Sequence, residues 1–211
     1  MNDTIEQRTD EWHQQRLGKV TASRIADVLA TIKTGEAASR AEYRIELVCE
    51  RLTGKPTESY SNAHMERGIE LEPFARAWYE VEYGVFVRQV SFVDHPFIEL
   101  SGASPDGLVG DDGMLEIKCP MVKTHIKTMI DQKIPAKHIP QMQWQMACTG
   151  RQWNDFVSYC PELPQEMQLF VKRLERDNEY IAELETKVKE FLAEVSTTLT
   201  QLEGLNHGSS I

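Results

Sequence analysis

Ser104-Pro105-Asp106-Gly107-Leu108-Val109-Gly110-Asp111-Asp112-Gly113-Met114-Leu115-Glu116-Ile117-Lys118 is the stretch on which the fold of this chain turns. Its second half, Met114 to Lys118, alternates apolar with polar or charged residues, which is the period of a strand. Residues two apart on a strand share a face, so Glu116 and Lys118 point the same way, roughly 6.6 Å apart along the chain. Between the halves, Gly110-Asp111-Asp112-Gly113 carries an Asp-Gly pair, a hairpin-turn signal. A hairpin there brings Asp106 beside Glu116, so that two carboxylates and a lysine converge. Hard oxygen ligands for Mg²⁺ next to a positive charge are what metal-assisted phosphodiester cleavage requires. A surface hairpin with solvated charges fits the same local sequence, so the rest of the chain has to decide.

Reading outward, the upstream segment Val85–Val93 has a period of two and predicts a strand. Asp94-His95-Pro96 predicts a turn and Phe97–Ser101 a second strand. Before them, a helix is predicted from Ala63 to Tyr83, stopped by Gly84, with Met65, Ile69 and Tyr79 along one apolar line. Glu72 lies three residues after Ile69 on that line and should face the core or a cleft. Pro73 should kink the helix beside it. An inward carboxylate is costly unless it meets a cation, which can be a metal or a neighbouring arginine, Arg67 or Arg76. Further upstream, Ser39 and Glu42 have capping-box spacing ahead of an Ile45, Val48, Leu52 stripe, and residues 55–62 read as loop. Thr9–Arg16 predicts a short capped helix, with Gly18 ending it and Thr21 or Ser23 starting another. Helix ends with free N–H groups, hydroxyls and Arg16 nearby form a ready anion site, although local sequence alone favours Arg16 on the surface and Ser23 as a plain cap.

Downstream, Pro120 stops the Glu-x-Lys strand, Lys123 to about Ile130 predicts a helix, and Gln141–Cys148 predicts another after a Pro-rich turn. Gln141 sits in the first turn of that helix, where its amide can reach a water or a phosphate. Phe156–Cys160 reads as a closing strand. Beyond Pro164 the apolar residues Met167, Phe170, Leu174, Ile181, Leu184, Val188, Phe191, Val195 and Leu202 follow a three-then-four spacing, read as one long helix interrupted by Asp177 and Thr198. The domain reading is a core over 1–165, a C-terminal helical segment over 166–203 packed on it or extending from it, and a tail over 204–211.

Composition bounds what these elements can do. At 211 residues and 41% hydrophobic, the chain can build one sizeable core. No apolar run approaches the roughly 18 residues of a membrane span, and the polar, acidic N-terminus does not read as a secretory signal. Cys49, Cys119, Cys148 and Cys160 lack metal or disulfide-framework spacing and read as reduced thiols of a cytoplasmic protein. The net charge of −10 counts against a simple nucleic-acid binder. Its distribution softens that objection. Residues 161–211 hold five Lys/Arg against ten Asp/Glu, a net −5, whereas Lys123, Lys127, Lys133 and Lys137 stand against Asp131 alone.

The order of these elements resembles the PD-(D/E)xK nucleases, and more closely the phage-type alkaline exonucleases of the bacteriophage lambda exonuclease (YqaJ-like) family. Four blocks over roughly residues 10–160 carry the resemblance: Trp12-His13-x-x-Arg16-Leu17-Gly18-x-x-Thr21-Ala22-Ser23; Gly68-x-x-x-Glu72-x-x-Ala75-Arg76; Ser104-Pro105-Asp106-Gly107-Leu108 with Leu115-Glu116-x-Lys118-Cys119-Pro120; and Gln141-x-Gln143. It implies an α/β (α+β) restriction-endonuclease-like core, a central mixed sheet flanked by helices, here followed by the long C-terminal helix. Carried over position by position, it implies that Asp106, Glu116 and the Ile117 backbone carbonyl bind catalytic Mg²⁺, for which Mn²⁺ would substitute. Glu72 would complete a second metal site; Glu70 is also a candidate, and the spacing to Ala75-Arg76 favours Glu72. Lys118 would orient the attacking water, and Gln141 would lie near the nucleophile and scissile phosphate. Arg16, Ser23 and Ser104 would receive a terminal 5′-phosphate. The family digests linear double-stranded DNA 5′→3′ from phosphorylated ends. It forms ring-shaped homotrimers that thread DNA and works with a single-strand annealing recombinase, which here implies phage or prophage origin and a bacterial cytoplasm. A ring would gather the basic strip of each subunit around one channel. Two other readings remain: a PD-(D/E)xK endonuclease of restriction or repair, which would cut closed circles, and a silent DNA-end-binding scaffold, which would cut nothing.

Overall fold

Apolar periodicity and turn residues divide the chain into seven α-helices and eight strands among residues 5–57 and 63–207, the residues described by a computed structural model. Helix α1 spans Asp10–Arg16 and is capped by Thr9, whose hydroxyl accepts from the Trp12 N–H at 3.3 Å. Strand β1 (Val20–Thr21) leads through a 3₁₀ turn at Ala22–Arg24 into α2 (Ile25–Val28). Helix α3 (Ala38–Thr53) ends at Gly54, whose φ of 65° is the left-handed cap glycine adopts without strain. Then follow α4 (Ala63–Tyr83), β2 (Val87–Arg88), β3 (Val93–Asp94) and β4 (Ser101–Ala103). The hairpin β5 (Gly107–Val109) and β6 (Gly113–Lys118) precedes α5 (Val122–Asp131) and α6 (Ile139–Thr149). Strands β7 (Trp153–Tyr159) and β8 (Leu169–Glu175) and the long α7 (Asn178–His207) complete the chain.

The decisive stretch folds as its turn residues predict. Gly107 pairs with Leu115 and Val109 with Gly113, and Gly110 takes the turn at φ 51°. Strand β6 then pairs in parallel with β7, reached through α5 and α6, giving a mixed five-stranded sheet in the order β2-β5-β6-β7-β8. A second sheet, β1-β4-β3, has three short strands. The architecture is mixed α/β, a central mixed sheet flanked by helices with a long C-terminal helix.

The pleat of β6 sorts its side chains between two layers. Leu115 and Ile117 join Ala75 and Tyr79 of α4 in one apolar cluster, while Met114 joins Trp144 and Met146 of α6 in another. Glu116 and Lys118 share the Met114 face, so they emerge beside α6. Helix α4 is tied to the sheet by a buried polar link: the Tyr79 hydroxyl donates to Asp155 at 2.8 Å, and Arg173 donates to both Asp155 oxygens at 2.8 and 2.9 Å.

Several expectations need correction. The predicted strand over Val85–Val93 is only two short pieces, β2 and β3, which belong to different sheets. Residues 95–100 form a turn region, so the next strand is Ser101–Ala103 instead of Phe97–Ser101. The helix predicted from Pro164 onward begins at Asn178: residues 169–175 are the edge strand β8, paired with β7. Asp177 is therefore no break in a seam. Its Oδ1 accepts from the N–H groups of Glu179 and Tyr180 at 3.1 and 3.0 Å and caps α7. The buried seam runs through Ile181, Leu184, Val188, Phe191 and Val195, and Thr198 interrupts it because its hydroxyl accepts from Arg44 of α3 at 2.9 Å. The 204–211 tail is helical through His207, and 208–211 lie outside the described residues, as do 58–62 of the predicted 55–62 loop. Helix α3 starts at Ala38 without a Ser39 box, and it buries Tyr43, Leu47 and Val48 while Ile45 and Leu52 stay exposed. Likewise Met65 and Ile69 of α4 are exposed, and the buried positions are Glu72, Ala75 and Tyr79; the helix continues through Pro73.

Candidate active site

The carboxylates of the hairpin are held by the backbone that carries them. Asp106 lies just before β5; its N–H donates to the Leu115 carbonyl at 3.3 Å, and its Oδ2 accepts from the Ile117 N–H at 2.7 Å. The Asp106 side chain thus occupies the rung of the ladder that β5 itself no longer fills. Burial, then the charges of Glu116 and Glu72, push its carboxyl well above the usual carboxylate range, against the opposing pull of Lys118 and the Ile117 N–H.

Glu116 is 1% exposed and fully engaged. Its Oε1 accepts from Gln141 Nε2 at 2.8 Å and meets the Lys118 ammonium, and its Oε2 accepts from Gln145 Nε2 at 2.6 Å. The nearby carboxylates, Glu116 and Asp106 foremost, raise the Lys118 pKa despite its burial, so the side chain is a cation at neutral pH. Glu72 faces inward as predicted. Its partners are Arg76, at 2.6 Å, and Arg8, from the N-terminal segment; Arg67 instead donates to the Cys119 carbonyl and to Glu162.

The residues of the predicted anion site, Arg16, Ser23 and Ser104, line one cavity. Arg16 lies over the Trp12 ring, with its guanidinium carbon 4.1 Å from the centroid, and donates to Ser104 Oγ at 3.4 Å, which also accepts from Trp12 Nε1 at 3.0 Å. Arg16 makes no ion pair with the described residues; burial lowers its pKa, but a guanidinium stays charged, and its remaining donors face a cavity. Ser23 Oγ is 3.3 Å from Thr21 Oγ1 on the same wall.

One cavity of about 1330 Å³ unites these groups. Arg16, Ser23, Glu72, Ser104, Asp106, Glu116, Ile117, Lys118 and Gln141 all line it. So do Lys127, Lys133 and Lys137, three of the four lysines of the basic strip. The carboxylates and the Ile117 carbonyl make a donor set of hard oxygens, the type that suits Mg²⁺ or Mn²⁺ over softer ions. Among the described residues no three His, Cys, Asp or Glu side chains already form a closed ligand cluster. The reason is visible in the pairings: arginines hold Glu72, and amides with Lys118 hold Glu116. Asp106 is left with its charge least compensated, which is the condition a divalent cation relieves, so the residues present fit such an ion.

The sequence profile of the YqaJ-like viral recombinase domain matches residues 11–152. The chain belongs to the YqaJ-like viral recombinase family. That membership makes it a nuclease-type enzyme, and solved structures agree with the assignment. An alkaline exonuclease (LHK-Exo) from Laribacter hongkongensis is 54% identical, with 95% of this chain and 99% of that chain covered and a TM-score of 0.87. The structure of LHK-Exo in complex with dAMP gives 55% identity over the same shares and a TM-score of 0.89. A phage-related exonuclease from Haemophilus somnus 129PT shares the fold at 17% identity, with 88% and 95% covered and a TM-score of 0.68. No curated protein sequence matches the chain. The 95% coverage by LHK-Exo reaches well beyond the YqaJ-like match, so that relative shares more than residues 11–152.

Sequence reading missed three participants. Gln145 follows Gln141 by four residues and so shares its helix face, a signal obscured by the apolar Trp144 and Met146 around it. Arg8 comes from a segment with no local pattern. Trp12 belongs to the motif that resembles the exonucleases, but its role as a platform for Arg16 appears only in three dimensions.

Proposed function

We propose that this YqaJ-like enzyme is a Mg²⁺-dependent 5′→3′ exonuclease. It degrades one strand of linear double-stranded DNA from 5′-phosphorylated ends and leaves 3′ single-stranded overhangs for recombination by single-strand annealing. The observation that carries the reading is that the Arg16–Ser104 anion site and the Asp106–Glu116–Lys118 cluster line the same cavity. An end-directed enzyme needs its terminal phosphate held within reach of the cutting groups. An enzyme that cuts internally has no use for such a pocket. LHK-Exo binds dAMP, a deoxynucleoside monophosphate of the kind that stepwise removal of nucleotides releases.

Asp106, Glu116 and the Ile117 carbonyl would hold one ion, and Glu72, on leaving its arginines, would help to hold a second; Mn²⁺ would substitute for Mg²⁺. When bound, the metal supplies Lewis acidity toward the phosphodiester and lowers the pKa of water. Lys118 Nζ, held as a cation by Glu116, would orient the attacking water and offset charge that develops on the phosphate. Gln141, whose second amide hydrogen is not needed by Glu116, would donate to that water or to a phosphate oxygen. Arg16 and the Ser23 and Ser104 hydroxyls would bind the terminal phosphate and so set which bond is cut. Lys127, Lys133 and Lys137 would track the DNA backbone along the cavity rim. A homotrimeric ring, an annealing recombinase as partner, and residence in a bacterial cytoplasm with phage or prophage origin complete the proposal.

Linear and covalently closed circular DNA incubated side by side, with Mg²⁺ and with chelator, test it. Loss of the linear DNA alone, only with Mg²⁺, is expected. Cleavage of circles with linear ends left intact would replace the exonuclease reading with an endonuclease, and no digestion of either would leave a DNA-end-binding scaffold.

A further inference from the structure

Beneath Glu116 lies a polar relay in otherwise apolar surroundings. Gln145 is fully buried, as are its chain neighbours Trp144 and Met146. Its Nε2 donates to Glu116 Oε2 at 2.6 Å, and its Oε1 accepts from Asn154 Nδ2 at 2.7 Å. Asn154 is fully buried on β7, paired in register with Met114, two residues from Glu116 on the same face of the sheet. The relay therefore joins three elements: β7, α6 and β6.

Space filling does not explain it. A methionine would occupy the Gln145 site with no polar atom to satisfy, and Asn154 Oδ1 is buried without a partner among the described residues. What the relay achieves is direction. A carboxylate only accepts, so the Gln145 amino group faces Glu116, and its Oε1, turned the other way, is met by the Asn154 amino group. Oε2 of Glu116 is thereby held at Gln145, away from the cavity lining, and Oε1 is shared with Gln141 and Lys118, which do line the cavity.

The geometry points to Gln145 as a positioning residue that locks the Glu116 carboxylate so that Oε1 alone is offered to the divalent cation, with Asn154 supporting the Gln145 amide from behind. This rests on the reading of Glu116 as a metal ligand. Amides behind a ligating carboxylate fix its orientation in advance, and losing them weakens metal binding without removing a ligand.

Calorimetric titration of Mn²⁺ into the DNA-free full chain tests the assignment, with circular dichroism as the check on folding. Gln145→Met keeps volume and length and removes the donor. It is expected to bind Mn²⁺ about 10- to 100-fold more weakly than the wild type. Its digestion of linear DNA should fall at low Mg²⁺ and recover as Mg²⁺ is raised, which a general packing defect would not produce. A wild-type isotherm in folded Gln145→Met overturns the inference. If that variant does not fold, Asn154→Ser, which leaves Gln145 in place, decides: weaker Mn²⁺ binding supports the relay and an unchanged isotherm overturns it. A wild-type chain that binds neither Mn²⁺ nor Mg²⁺ overturns the metal reading of Glu116 itself, a result distinct from an unchanged variant.

Discussion

Gln141 Nε2 donates to Glu116 Oε1 at 2.8 Å, the same oxygen that meets the Lys118 ammonium. The first turn of α6 and the last residues of β6 thus close on one atom, and the parallel crossover to β7 fixes how they meet. A charge and an amide focused on a carboxylate at a cavity wall give a specific expectation for the two hairpin residues on either side of it.

Lys118→Ala removes the cation, and Asp106→Asn removes an anionic metal donor while keeping the acceptor for the Ile117 N–H. Each should lower single-turnover hydrolysis of linear DNA by about 100-fold or more, as loss of a preorganised electrostatic group does. Binding of DNA, measured by gel shift with Ca²⁺ in place of Mg²⁺, should survive in both. Retained activity in both variants would remove the hairpin from the mechanism.

The same Asp106→Asn substitution should stabilise the metal-free protein. The folded pKa of Asp106 is raised, so between its ordinary value and its folded value the native state binds more protons than the unfolded chain. Stability from this group is therefore present at low pH and lost as pH rises through the folded pKa. At neutral pH with chelator, the asparagine variant should melt above the wild type, by about 2–4 °C for each 1 kcal/mol relieved. Adding Mg²⁺ should raise the wild type and leave the variant nearly unmoved. A variant that melts lower in chelator would mean that the carboxylate cluster is not a source of strain.

How much of this was legible in the sequence follows from how local each signal is. The turn at Gly110–Gly113 is carried by adjacent residues, so the hairpin and the meeting of Asp106, Glu116 and Lys118 could be read directly. Strand β8 could not. Leu169 and Val171 pack on one face of the sheet and Phe170 and Leu174 on the other, so both faces are apolar and the alternation that marks a strand is lost. The spacing of Phe170 and Leu174 then imitates the helix that follows. Arg8 and Glu72 are 64 residues apart, so no short window of sequence contains their contact. Asn154 and Gln145 are close in the chain, but they meet only because β7 turns back along α6, a geometry that neither residue signals locally.

Arg16 should decide how the enzyme treats DNA ends. It lies between the Trp12 ring and Ser104 with no acidic partner among the described residues, so its charge is free for a phosphate. Arg16→Ala should slow digestion from 5′-phosphorylated ends by about 10- to 100-fold, the range for one lost charge-assisted hydrogen-bond partner. Digestion from 5′-hydroxyl ends should change little. Equal losses on both substrates would move the phosphate site elsewhere.

His138 should stay neutral through the working pH range. Burial, with Lys118 and Lys137 adding repulsion, lowers its pKa to about 3, and its ring stacks on Phe156 at 5.4 Å. Its ring C–H resonances should not titrate between pH 8 and pH 5, so a rate change in that interval belongs to another group. The linkage has a definite sign: the unfolded histidine takes a proton below about 6.5 and the folded one does not, so its contribution is full above that pH and is lost as pH falls toward 3. The unfolding free energy of the wild type relative to His138→Gln should therefore shrink from pH 7 to pH 5, and a constant difference would refute the lowered pKa.

Helix α7 should prove integral to the core. Phe191 is fully buried, stacks on Tyr43 of α3 at 5.5 Å between centroids, and lies under the Arg40 guanidinium at 5.1 Å. Ile181, Leu184, Val188 and Val195 bury the same face against the cluster that holds Trp144 and Met146 of α6. Phe191→Ala should cost about 3–5 kcal/mol, the range for truncating a buried aromatic side chain, in urea unfolding monitored by tryptophan fluorescence. Leu205, 70% exposed on the same helix, is the control, and Leu205→Ala should stay within about 0.5 kcal/mol of wild type. If Phe191→Ala were as mild as Leu205→Ala, α7 would be an appendage, and the support it gives to α6, and through α6 to Glu116, would have to come from another element.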